Sequence, residues 1–180
     1  MRLTISSIFN RYRFMAFLER QLHVKKSQLP GTGKGLFTKI DIQKGTRIVE
    51  YRGFLHRWKD IKHEDGHNGY LLYINPNAVI NAQGTLKLIG RYANDANGIV
   101  RIEGLRNNSE YVTVGSRCFI TATKNIRKGE EIFVRYGKEY WDLVKRIKKA
   151  GVSREKSKEE RATSKKEKPK SGKQKSRVAK

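Results

Sequence analysis

A chain of 180 residues is long enough for one domain with a substantial core and too short for two ordinary domains plus linkers. Forty Lys and Arg against 17 Asp and Glu leave a net charge of +23, which points to a polyanion or an acidic surface as a partner. The single cysteine, Cys118, excludes an internal disulfide and any multi-thiolate zinc centre, fits a reducing compartment and leaves no metal site to expect; no apolar run approaches the ~18–20 residues needed to span a bilayer.

In chain order, residues 1–21 form an amino-terminal extension. Met1 to Leu18 holds Arg2, Arg11 and Arg13, no acid and no apolar core of a secretory signal, so it reads as a dispensable extension with Met15 as an alternative start, a mitochondrial-type presequence being the competing reading. Apolar and β-branched runs then predict strands at Leu22–Val24, Gly35–Thr38, Arg47–Tyr51, Tyr70–Ile74, Val79–Asn81, Ile99–Ile102, Tyr111–Val114, Cys118–Ala122 and Glu131–Val134. Turn residues such as PGTGKG, NPN, RNNS and RKG separate nearly all of them. Helical spacing is confined to Trp58–Glu64 and to Tyr140–Lys149, where Trp141, Val144 and Ile147 share a face. The expected class is mainly β with short helices, built as several small sheets.

Charge divides the chain as well. From Lys145 to Lys180 there are 16 basic and 4 acidic residues, a net of +12, and almost no large apolar side chain follows Val152. Such a stretch cannot bury enough apolar surface to offset its ordering entropy, so 149–180 is expected to be a disordered basic tail behind a folded domain at 22–148.

Three segments have the composition of a site. Gly31-Thr32-Gly33-Lys34-Gly35 departs from a phosphate-binding P-loop, which needs Ser or Thr after the lysine, but its glycines let backbone N–H and C=O groups approach a ligand. In Gly90-Arg91-Tyr92-Ala93-Asn94-Asp95, the Asn94 amide offers both donors and an acceptor for an amino-acid headgroup. In Gly129 to Trp141, Tyr136 precedes a glycine and is followed by Tyr140 and Trp141, enough aromatics to wall a channel. Alone, each segment is equally an ordinary turn or a piece of core.

Their order and spacing resemble the SET domain of protein lysine methyltransferases. Gly33-Lys34-Gly35-Leu36-Phe37 stands for that family's glycine segment, Glu50-Tyr51-Arg52-Gly53 for its E-Y-x-G strand end, and Gly69-Tyr70-Leu71-Leu72 with Val79-Ile80-Asn81-Ala82 for the next two strands. Arg91-Tyr92-Ala93-Asn94-Asp95-Ala96 stands for R-F-I-N-H-S, and Gly129 to Gly137 for G-E-E-L-x-x-x-Y-G. The likeness covers about residues 22–142 without cysteine-rich flanking modules. Asp95 replaces the family histidine, the C-x-P-N continuation is shortened to Asn97-Gly98, and position 134, often an aromatic that governs methyl number, is Val134.

The resemblance implies a SET-type fold whose carboxy-terminal segment passes through a loop as a pseudoknot, and methyl transfer from S-adenosylmethionine to a lysine side chain. It assigns Tyr136 to the reacting centre and Tyr51, Tyr70, Val134 and Tyr140 to the lysine channel. Gly33, Lys34, Gly35, Leu36, Tyr70, Arg91, Asn94, Asp95 and Trp141 fall to the cofactor, Trp141 against the adenine. Expected partners are a protein or peptide with an exposed lysine and DNA or RNA contacted through 149–180, with no membrane, in a monomer or weak dimer. The compartment expected is the cytoplasm, nucleoid-associated in a bacterium, or the nucleus of a eukaryote. The rival reading is a catalytically degenerate SET fold that binds nucleic acid through its basic surface and tail.

Overall fold

The computed structural model describes residues 18–150; residues 1–17 of the extension expected at 1–21 and residues 151–180 of the tail expected at 149–180 lie outside the described residues. Two compact units are present, one ending at Trp141 and one beginning at Asp142, the second helical over 142–150. In the first unit the architecture is mainly β with few short helices.

Strand β1 (Leu22–Lys26) pairs antiparallel with β2 (Lys34–Thr38) as a hairpin around the glycine segment. A second sheet has the order β3 (Arg47–Tyr51), β8 (Arg117–Ala122), β7 (Ser109–Val114). Its central strand is rich in the β-branched and aromatic residues that suit a pleat covered on both faces: Cys118, Phe119 and Ile120 are buried, and Ile120 lies between Val49 and Tyr111 in register. Gly115 turns β7 into β8 with φ +61°, the left-handed first position of a two-residue hairpin loop that excludes most other residues. The third sheet has the order β4 (Phe54–His56), β6 (Ala78–Asn81), β5 (Leu71–Asn75), and the single α-turn α1 (Trp58–Ile61) follows β4.

Residues 131–134 were expected as a sheet strand, yet they form only bridges, because their two edges serve different partners. Ile132 N–H donates to Leu36 O (2.7 Å) and Val134 N–H to Asn94 O (2.8 Å) on one edge; on the other, Phe133 O accepts Ser109 N–H (2.9 Å). Asn94 and Ser109 thus flank this segment on opposite sides, and the chain joining them arches over it. This is the pseudoknot crossing, a threading that ordinary folds avoid. It places Asn94, Glu131 and Tyr136 together although 42 residues separate the first and last.

Two other expectations are corrected. Ile99–Ile102 is not a strand: no neighbour pairs with it, and Ile99, Val100 and Ile102 remain 42, 42 and 39% exposed. Phe54–His56 is a strand that composition did not signal, since its three residues are held by pairing with β6. The main core gathers Leu22, Leu36, Ile42, Ile48, Val49, Ile120, Ile126, Ile132 and Val134, each such burial stabilising by about 1.5–3 kcal/mol.

Candidate active site

The hairpin between β1 and β2 builds the first wall. Ser27 N–H closes it on Gly33 O at 2.9 Å, and Gly31 and Gly33 take φ +78° and +76° with no atom within 4 Å of where a Cβ would stand. Those two glycines leave the loop open to a ligand. Gly35 has a different reason to be glycine: a Cβ there would stand 2.1 Å from Oε1 of Glu131. The Glu131 carboxylate is 1% exposed and is satisfied by Ser27 Oγ–H (2.7 Å), Gln28 N–H (2.8 Å) and the Asn94 amide (3.2 Å). A buried carboxylate without such donors would be strongly destabilising. Leu36 has its side chain in the core and its carbonyl accepts the Ile132 N–H, so any ligand contact there falls to its backbone.

The second wall follows a 3₁₀ turn at Ile89–Tyr92. Arg91 is buried, donates Nη1–H to Ala82 O (2.7 Å) and lies 3.7 Å over the Tyr70 ring, while its buried Nε–H has no partner among the described residues. The Asn94 amide nitrogen faces three acceptors, Lys34 O (3.0 Å), Ser27 Oγ (3.2 Å) and Glu131 Oε1 (3.2 Å), so its two N–H bonds are already committed to the loop and any ligand contact falls to its Oδ1 or backbone.

Asp95 ties this wall to the third. Its Oδ1 accepts Asn97 N–H (2.8 Å) and Asn107 Nδ2–H (2.7 Å), and its Oδ2 accepts Tyr136 N–H (2.9 Å) and Trp141 Nε1–H (2.8 Å). Four donors suit a carboxylate, which has about four lone-pair sites, and exceed what an imidazole accepts. The residue that departs from the family pattern is therefore matched by donors on both sides of the pseudoknot. Trp141 is fixed further by stacking on Tyr136 (5.8 Å, 10°) and by lying so close to Gly98 that a Cβ there would approach it to 2.6 Å.

The third wall encloses a cleft with an empty volume of about 360 Å³, lined by Tyr51, Tyr111, Tyr136, Tyr140, Arg91, Gly69, Leu71 and Leu72. Tyr136 donates its hydroxyl to Ala93 O and Tyr51 to Tyr70 O, both at 2.9 Å. Tyr111 stacks on Tyr136 (6.5 Å, 20°) and meets Tyr51 edge-on (5.5 Å). Burial raises the phenol pKa of Tyr136, Tyr111 and Tyr51 far above the ordinary value of 10, and raises that of Tyr140 as well; neighbouring phenols add to it, and only Arg91 opposes it at Tyr51. These hydroxyls stay protonated at any physiological pH and act as neutral dipoles, not as phenolate bases.

Of the channel residues expected from sequence, Tyr51 and Tyr140 line the cleft. Tyr70 contributes its carbonyl and a ring beneath Arg91. Val134 does not line it: it is fully buried in the main core, because its backbone is held between Asn94 and Ser109 and its side chain turns inward. Sequence reasoning missed Tyr111, the Glu131 hub and Asn107. Tyr111 alternates on β7 like any strand residue, and nothing local marks which face borders a cleft. Among the described residues no cluster of three or more His, Cys, Asp or Glu side chains is arranged for a metal, and no helix is long and apolar enough to cross a membrane.

The family model described as "SET domain" matches residues 33–137. A curated relative, the histone-lysine N-methyltransferase EZH2 of Chaetomium thermophilum, is 32% identical over 136 residues, covering 68% of this chain; the chain spans about 8% of that relative's length. The solved methyltransferase domain of human PR domain-containing protein 2 aligns with TM-score 0.49 at 22% identity, covering 65% of this chain and 77% of that one. With the family pattern running from Gly33 to Gly137, through the glycine loop, the Asn94 turn and Tyr136, the chain belongs to the SET domain family.

Proposed function

We propose that this protein is a protein-lysine N-methyltransferase that takes its methyl group from S-adenosylmethionine. The observation that carries the reading is the tyrosine cleft, whose Tyr136 hydroxyl is anchored on Ala93 beside the Asn94 turn and the open glycine loop. The relative's name supports lysine as the acceptor, and the aromatic walls fit its long apolar stem and single polar tip.

The residues present fit the methyl donor. Gly33 leaves open space where a side chain would stand, the Lys34 carbonyl and Asn94 offer acceptors for an ammonium, and the unpartnered Nε–H of buried Arg91 is a donor that a carboxylate would satisfy. When bound, S-adenosylmethionine supplies an electrophilic methyl on a sulfonium. The chain's own task is to align an amine with it and to keep that amine neutral. Aromatic faces favour an ammonium by about 0.5–2 kcal/mol, but desolvation lowers a buried lysine by up to ~3–5 pKa units, or about 4–7 kcal/mol, and wins. Tyr136, protonated throughout, orients the amine by accepting from it and keeps water out with its ring.

Residues 22–148 then serve as the catalytic domain and 149–180 as an electrostatic tether toward DNA, RNA or a nucleic-acid-bound substrate, in the cytoplasm or nucleus. Calorimetry with S-adenosylmethionine, followed by radiolabelled transfer to a lysine peptide array with mass spectrometry of the products, tests the reading. Cofactor binding and label on lysine support it. Absence of cofactor binding overturns it and favours the degenerate SET module.

A further inference from the structure

A groove with an empty volume of about 1110 Å³ lies between Gln28, the segment 104–108 and the segment 124–131, and it shares no lining residue with the tyrosine cleft. Its cations are Arg106, Lys124 and Lys128, all exposed; none of the three side chains forms an ion pair among the described residues, although the Lys128 backbone N–H donates to Asp41 Oδ1 (2.7 Å). The three cations outnumber the two acids that line the groove by one, and both acids are engaged by neutral donors. Glu131 is turned inward onto Ser27, Gln28 and Asn94, and Glu130 caps the Arg127 N–H with Oε2 (2.9 Å). Asn125 accepts the Lys44 N–H with Oδ1 (2.9 Å), which leaves its NH₂ as a neutral donor.

We propose that this groove binds the phosphodiester backbone of a nucleic acid. Cations on two separate segments around a concave wall focus a positive potential along the groove rather than at one point. Lysines on flexible stems suit a string of phosphates that is tracked, whereas a single small anion would call for a nest of buried donors that this open groove does not supply. The proposal concerns the folded unit. It stands whether or not the chain transfers methyl groups, and it is separate from any contribution of the tail.

Fluorescence anisotropy of the full-length chain, with labelled single-stranded DNA, RNA and duplex DNA over a series of salt concentrations, tests it. The variant R106Q/K124Q/K128Q is compared with K59Q/K62Q/K87Q, which removes the same charge elsewhere on the surface. Loss of three phosphate contacts should reduce the log–log salt slope on duplex by about 2.7 and on single strands by about 2, with affinity at low salt falling at least about tenfold. Lys128→Gln alone should lower the duplex slope by about 0.9. The control triple should leave the slope within error. Equal losses in both triples would mean bulk charge alone and would overturn the proposal, as would no loss in either, which would leave all binding to the tail. Polyglutamate bound as tightly as DNA, with the same dependence on the three cations, would overturn it in favour of an acidic protein partner. Comparison of single-stranded, duplex and RNA probes decides which source of phosphodiester the groove prefers.

Discussion

The two halves of the site are built on opposite electrical principles. The glycine-loop half is organised around a carboxylate, Glu131, whose neighbours Ser27, Gln28 and Asn94 all donate to it. The cleft half is organised around neutral phenols, of which Tyr51 and Tyr136 are tied to carbonyls while the Tyr111 hydroxyl makes no hydrogen bond among the described residues. Asp95 joins the halves by holding the backbone of Tyr136 and the indole of Trp141. Charge that is fully satisfied holds the pseudoknot together, and the cleft presents neutral hydroxyls that keep acceptor capacity.

Alkali should separate the halves most strongly. Phenols whose folded pKa is raised bind a proton that the unfolded chain gives up near pH 10, so their contribution is intact below pH 10 and is lost as pH climbs through the raised values. Each fully protonated buried phenol lowers stability by about 1.4 kcal/mol per pH unit above 10, and Tyr51, Tyr111 and Tyr136 together by about 4. Denaturant melts between pH 9 and 11 should show that fall, together with the contributions of Tyr140 and of Cys118, whose thiol burial pushes up to about 12, and Tyr111→Phe should reduce the slope above pH 10 by about 1.4 kcal/mol per pH unit. A flat profile would mean that the phenols are not buried.

Glu131→Ala strikes the other half. It strands three donors and opens a cavity beside Gly35, and should destabilise by about 3–5 kcal/mol, whereas Glu131→Gln should cost about half as much. Thermal denaturation of the two variants reads the difference, and equal melting temperatures would remove Glu131 as the hub. Tyr136→Phe acts on turnover instead, with kcat lower by about a hundredfold, or ~2.7 kcal/mol, and cofactor affinity within a few-fold. Single-turnover assays with labelled cofactor decide, and a wild-type rate would place the hydroxyl outside the mechanism. Asp95→Asn sits between the halves and should destabilise by about 1–3 kcal/mol, with a shift in Trp141 fluorescence measured in a Trp58→Phe background, because one amide cannot accept from all four donors.

Much of this was legible in the chain, and the illegible parts share a cause. Arg47–Tyr51 and the glycine turns follow from local alternation and from positive φ, which neighbours in sequence decide. Asn94 and Tyr136 were placed together only by the resemblance to the SET family, which implies the crossing. The contact of Glu131 with Gly35 was missed for the opposite reason: the carboxylate fills the space above a glycine 96 positions earlier, and no local pattern encodes a contact of that range. Val134 carries the same lesson, since a strand-like run tells that alternate side chains diverge but not which edge meets the core. Ile99–Ile102 has strand composition and lacks a partner strand, and β-propensity alone does not make a sheet.

The smallest expected effect is the most informative about the cleft. Tyr111 stacks on Tyr136 and lines the same space, yet its hydroxyl holds nothing, so Tyr111→Phe removes one oxygen without stranding a partner and should change stability at neutral pH by less than about 0.5 kcal/mol. In the proposed reaction, what it changes is room and polarity next to the acceptor amine. If that hydroxyl accepts a hydrogen bond from the amine, or crowds a methyl already attached, its loss should shift products toward higher methylation states by about fivefold in ratio, about 1 kcal/mol, while kcat for the first transfer stays within a few-fold. Mass spectrometry of peptide products over a time course gives the ratio directly. An unchanged distribution would mean that Tyr111 only supports the Tyr136 ring, and the limit on methyl number would then fall to Tyr51 and Tyr140, the remaining phenols of the cleft.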